Sequence, residues 1–371
     1  MKKGTLKALL FIPLPTLVFV ILAFILVKWR ISTLVQVDLT VDRAVFTIGA
    51  KDSTPIVNSI GFKSLTVEKF DSIKLSPEKL EVADPVQYDP KEDHYPESAW
   101  TSLIVTPPVI ITGEDPAFQP AVTLEGVSPE QNTSGTLDQI WAGSGSEVTL
   151  EVISTQKTEI LIKVDHQNSS VIVSIREPFE LITNYARVKG ITTSPYHSNS
   201  LTYRAQLPKH APEVEITSLP HSLVLILTIT PEKTSDLFKG GILVSALDFT
   251  RQNRIGAPET TLVKDGEITY PNYPKIDEVS IKPTDFLGLD RLEKFRIEEI
   301  GLDPQHNGIR LRLKGIAGYI KIGSPEFQKD YRLTVFDTLW QNPILKALFS
   351  IVILVLPTTM AAYNLYLQSK K

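Results

Sequence analysis

Cysteine is absent from this 371-residue chain, and methionine occurs only twice. The first absence removes disulfide frameworks, thiolate metal sites, haem attachment and cysteine nucleophiles from consideration together. Acidic residues are missing from both ends: residues 1–30 and 344–371 hold no Asp or Glu, yet carry Lys2, Lys3, Lys7, Lys28, Arg30, Lys346, Lys370 and Lys371. The stretch between them keeps 30 basic residues against 42 acidic ones, a net charge of −12. So acidic a region repels phosphate backbones, which argues against a nucleic-acid partner. Phosphate-binding glycine loops, the dinucleotide fingerprint, H-E-x-x-H, G-x-S-x-G and the EF-hand calcium loop are all missing as well. No catalytic residue, cofactor-binding residue or cofactor is therefore assigned, and Gly143-Ser144-Gly145-Ser146 reads as a turn.

Two long uncharged stretches are present. Ala8 to Val27 is twenty residues without a charge, enough for a helix to cross a hydrocarbon layer of roughly 30 Å. Its length, and its ending in Phe24-Ile25-Leu26-Val27-Lys28 without a small-x-small site, favour an anchor over a cleaved signal peptide. A second uncharged stretch runs from Ala347 to Ser369, and Asn342-Pro343 before it reads as a helix start. Trp29 and Trp340 stand at the inner ends of the two stretches, where amphipathic indoles suit a membrane interface. Neither stretch holds a charged residue, so the helices read as anchors and not as an ion or proton pathway. Lysines on both tails put both termini in the cytoplasm by the positive-inside rule.

Between the stretches the pattern is that of strands. Val35, Val37, Leu39 and Val41 alternate with polar residues, and short apolar patterns return at 121–127, 147–153, 159–164, 171–175, 213–217, 223–229, 242–247 and 309–313. The expected fold is mainly β, a β-sandwich or jelly-roll-like ectodomain of one or two modules, between an N-terminal and a C-terminal transmembrane helix. The parts are a cytoplasmic tail at 1–7, a transmembrane helix at 8–27, β modules at 31–190 and 201–335, a second transmembrane helix at 343–367 and a tail at 368–371. The break at 192–200 suggests the division. Nine prolines among residues 77–129 mark that region as rich in loops. Thr284 to Ile300 has some helical character, although Phe295 and Ile297 fit a strand equally. In Gly308 to Gly323 the apolar parity changes, and Lys314-Gly315 is the expected turn or bulge.

Candidate sites are few. Asp93, His94 and Glu97 lie in an acidic loop able to gather oxygen and imidazole ligands around a divalent cation, although a solvated loop explains them as well. Arg310, Arg312 and Lys314 project from the polar face of a strand and form a basic strip suited to anionic headgroups; ordinary strand alternation accounts for them too. Trp100, Trp141, Tyr185 and Tyr203 are candidate stacking platforms for a sugar, against the commoner fate of aromatic residues in a core. Asn132 and Asn168 begin glycosylation sequons.

In its topology, including Pro357 in the second stretch, the chain resembles the polysaccharide co-polymerases. That family's outward domain is rich in long helices whereas this one reads as strands, so its function is not carried over. The leading expectation is a non-enzymatic two-span protein of a bacterial inner membrane. Its domain faces the periplasm, and its partners are the lipid bilayer, other envelope proteins and further copies of itself. The alternative is a membrane-anchored β-sandwich that binds carbohydrate or another ligand. A glycoside hydrolase ranks last, because no pair of carboxylates is distinguished in the sequence.

Overall fold

The computed structural model describes residues 25–351 and residue 366, apart from 89, 91–94, 114–119, 127–134, 155–157, 166–169, 176, 192–195, 197, 211, 219–221, 231–235, 253–257, 284, 304, 325, 342, 345 and 348–349. Its strands in chain order are β1 (Thr33–Val41), β2 (Arg43–Ile48), β3 (Thr54–Glu68), β4 (Ser72–Leu75), β5 (Lys79–Ala83), β6 (Trp100–Ser102), β7 (Val105–Gly113), β8 (Ala121–Gly126), β9 (Gly135–Ala142), β10 (Glu147–Ser154), β11 (Glu159–Asp165) and β12 (Ser170–Ile175). They continue as β13 (Phe179–Asn184), β14 (Ala186–Ile191), β15 (Ser200–Gln206), β16 (Glu213–Thr217), β17 (Leu223–Ile229), β18 (Asp236–Asp248), β19 (Thr250–Gln252), β20 (Pro258–Thr261), β21 (Val263–Thr269), β22 (Val279–Ile281), β23 (Phe286–Asp303), β24 (Gly308–Gly323) and β25 (Gln328–Asp330). All but β19 and β20 join one large antiparallel sheet, so the protein is mainly β.

The period-two reading of β1 is met directly: Val35, Val37, Leu39 and Val41 are buried. A half-buried strand needs only this alternation to choose its face. β1 then lies between β24, with Thr33 opposite Ala317 and Val41 opposite Ile309, and β21. After Asp42 the chain turns into β2, which pairs with β10 and β18. β18 pairs through its first half with β23 and through its second with β2, slipping register on the way. Bulged strands that change partners let a sheet turn a corner.

Beyond that corner the pairing is nested. β3, β4 and β5 run out and β6, β7 and β8 run back, pairing β5 with β6, β4 with β7 and β3 with β8. A second excursion pairs β13 with β15, β12 with β16 and β11 with β17. The two excursions join along β3–β17, β4–β16 and β5–β15, and again along β8–β13 and β9–β12. Strands on either side of the break at 192–200 are thus immediate neighbours, and one core runs from Val35 to Leu333 through both stretches.

β3 holds the two excursions together. Its first half pairs with β9 and its second with β8, and the change falls at Phe62. There the end of β8 and the start of β9 crowd together: a Cβ on Gly126 would lie 2.0 Å from the amide nitrogen of Gly135. Only glycine admits such an approach.

The long hairpin of β23 and β24 occupies Phe286–Asp303 and Gly308–Gly323, so the segment with mixed helical and strand character is a strand. Arg291 and Lys294 adopt positive φ, 53° each, and the register slips between Glu293 and Arg296. Burial in β24 follows odd positions from Ile309 to Ala317, then even positions from Gly318 to Ile322. The parity change therefore falls at Ala317-Gly318, three residues beyond the expected Lys314-Gly315. β24 stays continuous there; the extra residues of β23 lie opposite Ile316–Lys314 and Leu313–Arg312.

Among the described residues no helix is long and apolar enough to cross a membrane. The larger parts of the expected spans at 8–27 and 343–367 lie outside the described residues. What is described is a helical end at 25–28, the short helix α1 (Val335–Trp340) and helical residues among 343–351.

Candidate functional site

The two ends of the sheet-forming chain meet at one place. Arg30 bridges Thr334 in antiparallel fashion. The amide of Ile31 donates to the carbonyl of Leu333 at 3.0 Å, the amide of Val335 donates to the carbonyl of Trp29 at 3.0 Å, and the guanidinium of Arg30 donates to the carbonyl of Arg332. Trp29 is 62% exposed and closes a helical turn by donating to Ile25 at 2.8 Å.

α1 starts on a reciprocal cap. The amide of Asp337 donates to Thr334 Oγ1 at 3.0 Å, and the amide of Thr334 donates back to the Asp337 carboxylate at 2.8 Å. This satisfies two amides that a helix start otherwise leaves open. Thr-x-x-Asp was legible in the sequence, and it places a helix start eight residues before the expected Asn342-Pro343. Asn342 lies outside the described residues; Pro343 is helical. Phe336 stacks on Trp340 at 5.1 Å, and the Lys346 ammonium lies 5.2 Å from the Trp340 ring centre. Val27, Leu339, Ile344 and Ile351, on either side of this junction, are all exposed.

Behind the junction the sheet is tightly bonded. Tyr270 donates its hydroxyl to the carbonyl of Tyr331 at 2.5 Å, and burial pushes its pKa up to about 12. Arg332 holds Asp330 through both of its oxygens, donates to the carbonyl of Gly318 at 2.7 Å and stacks 4.2 Å from the centre of the Tyr319 ring.

The basic strip expected at 310–314 is largely answered inside the sheet. Arg310 reaches Asp236 and Glu299, each at 2.7 Å, and Arg312 reaches Asp38 at 2.7 Å and Glu299 at 3.1 Å. Lys239 and Arg310 help hold the Asp236 carboxyl below its ordinary range, the hydrogen bond from Lys239 being the largest cause. Arg310 stands opposite Thr40, seven residues along β24 from the Ala317–Thr33 pair. At the rise of a strand that is about 23 Å from where the chain enters the sheet.

Of the metal candidates, Asp93 and His94 lie outside the described residues. Glu97 is exposed and paired with Arg204 at 3.0 Å. Among the described residues no three His, Asp or Glu side chains are placed to hold a metal ion.

The aromatic candidates divide. Tyr203 is buried in the core, Trp141 donates to Gln139 at 2.9 Å, and Tyr185 sits half exposed at positive φ. Trp100 belongs to a surface cluster: Tyr95 meets it edge-on at 5.7 Å, Tyr88 packs on Tyr95 at 5.1 Å, and the Arg204 guanidinium covers the Trp100 ring at 4.2 Å.

A further feature escaped sequence reading. Asp38 from β1, Asp265 and Glu267 from β21, and Glu278 from the segment before β22 line an open groove of about 600 Å³ beside Arg310. Burial, then the charges of Glu278, Asp38 and Asp265, pushes the Glu267 carboxyl up. Neighbouring strands assemble this groove, so no local motif announces it.

The chain matches no family model, no curated protein and no solved structure.

Proposed function

We propose that this is a non-enzymatic two-span membrane protein: helices at 8–27 and 343–367 hold a β-rich domain of sandwich or jelly-roll type against the bilayer. There the domain binds other proteins of a bacterial envelope or further copies of itself. The observation that carries the reading is the junction of Trp29 with Val335. The chain enters and leaves the sheet side by side at Trp29 and Val335, the sequence beyond each end runs into an uncharged stretch, and Trp29 and Trp340 beside those stretches suit the headgroup layer. The nested pairing of β3–β8 with β11–β17 supports the jelly-roll reading.

Alkaline carbonate treatment of membranes from expressing cells tests the anchoring. The protein is expected to stay with the lipid pellet, and to enter the supernatant only after detergent. Release by carbonate alone overturns the reading.

A second reading rests on Tyr88, Tyr95 and Trp100: a surface that captures carbohydrate by stacking. Arg204 occupies one face of Trp100, which leaves the tyrosines to do the stacking. Glycan-array binding lost in Tyr88→Ala supports it; an array with no signal removes it.

A further inference from the structure

We infer that the outer end of the β23–β24–β25 arm is a docking surface for anionic lipid headgroups of the membrane that anchors the chain, an inference that rests on the two-span reading above. β24 reaches Thr33 at Ala317 and continues to Gly323, past the row where the chain enters the sheet. β23 runs beside it to Phe286, and β25 folds back along its last residues. Arg291 and Lys294 adopt positive φ beside this row, and the register slip between Glu293 and Arg296 is a bulge of the kind that re-aims a strand. The arm therefore begins at the junction of the two chain ends and projects from it.

Its chemistry differs from the rest of the domain. Residues 28–30, 286–296 and 317–332 hold eight basic residues and four acidic ones, in a domain whose overall balance is strongly acidic. Arg291, Lys321 and Arg332 surround the Tyr319 ring, their cationic atoms at 4.8, 5.9 and 4.2 Å from its centre, and Lys329 lies 4.7 Å from the centre of Tyr331. Arg291, Lys321 and Lys329 are exposed and have no carboxylate partner among the described residues. Between Lys321 and Lys329, in the turn that joins β24 to β25, Phe327 is 81% exposed. Exposed cations flanking an exposed phenylalanine suit a surface with anionic groups outside and hydrocarbon within. Arg310 and Arg312, the cations that the sequence pointed to, are instead held by Asp38, Asp236 and Glu299 at the far end of β24.

Because the chain contains no cysteine, Phe327→Cys accepts an environment-sensitive dye at that position alone. The full chain carrying this dye is reconstituted into vesicles of phosphatidylcholine with phosphatidylglycerol, and into vesicles of phosphatidylcholine only. Headgroup-level nitroxide lipid is expected to quench the dye in the anionic vesicles. Each of Arg291→Ser, Lys321→Ser and Lys329→Ser is expected to lower the ratio of docked to undocked arm roughly fivefold, the effect of one cation at an anionic surface. A dye that stays in water in both vesicles, or quenching indifferent to lipid charge and to the three substitutions, overturns the docking surface. If that happens while the protein resists carbonate extraction, the two-span reading stands without it. Carbonate release overturns both.

Discussion

The amide of Val335 donates to the carbonyl of Trp29 at 3.0 Å, so the last residues of the sheet-forming chain are bonded to its first. Both ends enter and leave on one patch of the sheet. A domain closed in this way presents two helical stubs together, and that geometry makes two anchors compatible with a single rigid β body.

The cap at this patch is open to measurement. Thr334→Ala removes the hydroxyl that accepts from the Asp337 amide and leaves only the backbone half of the exchange, and is expected to lower stability by about 1 kcal/mol, as N-cap losses do. Thr334→Ser keeps the hydroxyl and is expected to recover most of it. Thermal unfolding of the detergent-solubilised variants compares them.

Arg310 offers a test of charge held inside the sheet. Arg310→Gln leaves Asp236 and Glu299 facing each other without their shared cation. Its side chain is partly exposed, so screening keeps the expected loss to about 1 kcal/mol or less. The loss should shrink in high salt, and lipid docking at Phe327 should be unchanged. Urea melts at two ionic strengths give the first result.

Glycine positions in the hairpin separate into tolerant and intolerant. A Cβ on Gly315 would lie 2.4 Å from the Cα of Phe295, backbone that cannot give way, whereas one on Gly288 would meet only Lys321 Cβ at 3.8 Å. Gly315→Ala is expected to destabilise by about 1 to 3 kcal/mol, as overpacking does. Gly288→Ala is expected to stay within about 0.5 kcal/mol of the parent.

Acid has opposite effects on two carboxylates. Burial pushes the Asp303 carboxyl up, but hydrogen bonds from His306 and Thr40 outweigh it and leave the pKa below 3.8. Its contribution is therefore full above the unfolded value and lost as pH falls through the lower folded one. Glu267 is raised by burial and by neighbouring acids. Above its folded value it opposes folding, and below the unfolded value near 4.5 that penalty is gone. Asp303→Asn is expected to destabilise at pH 7, and Glu267→Gln to stabilise. Both differences should vanish in melts at the acid end.

What the sequence revealed depended on whether a pattern was local. β1 was legible because four aliphatic residues keep one parity without interruption. β3 was not: Ile56, Ile60 and Phe62 are even, Val57, Leu65 and Val67 are odd, and positive φ at Ser59 with register slips breaks the alternation of one long strand. The proline-dense stretch hid β7 for a related reason, since Pro107 and Pro108 sit exposed within a strand whose buried residues are only Val109 and Ile111. Of the site, Trp29 and Trp340 could be named in advance, because their signal is position beside an uncharged run. The acidic groove and the cations around Tyr319 could not, because strand pairing alone brings them together.

Single-cysteine labelling tests the central claim most directly, and the cysteine-free chain permits it without background. Lys3→Cys and Ser369→Cys mark the two tails, and Lys209→Cys marks an exposed position in the domain. In intact bacterial spheroplasts a membrane-impermeant maleimide is expected to label position 209, and to reach positions 3 and 369 only after permeabilisation. Labelling of either tail in intact spheroplasts, or protection of position 209, contradicts a β domain held outside by two helices.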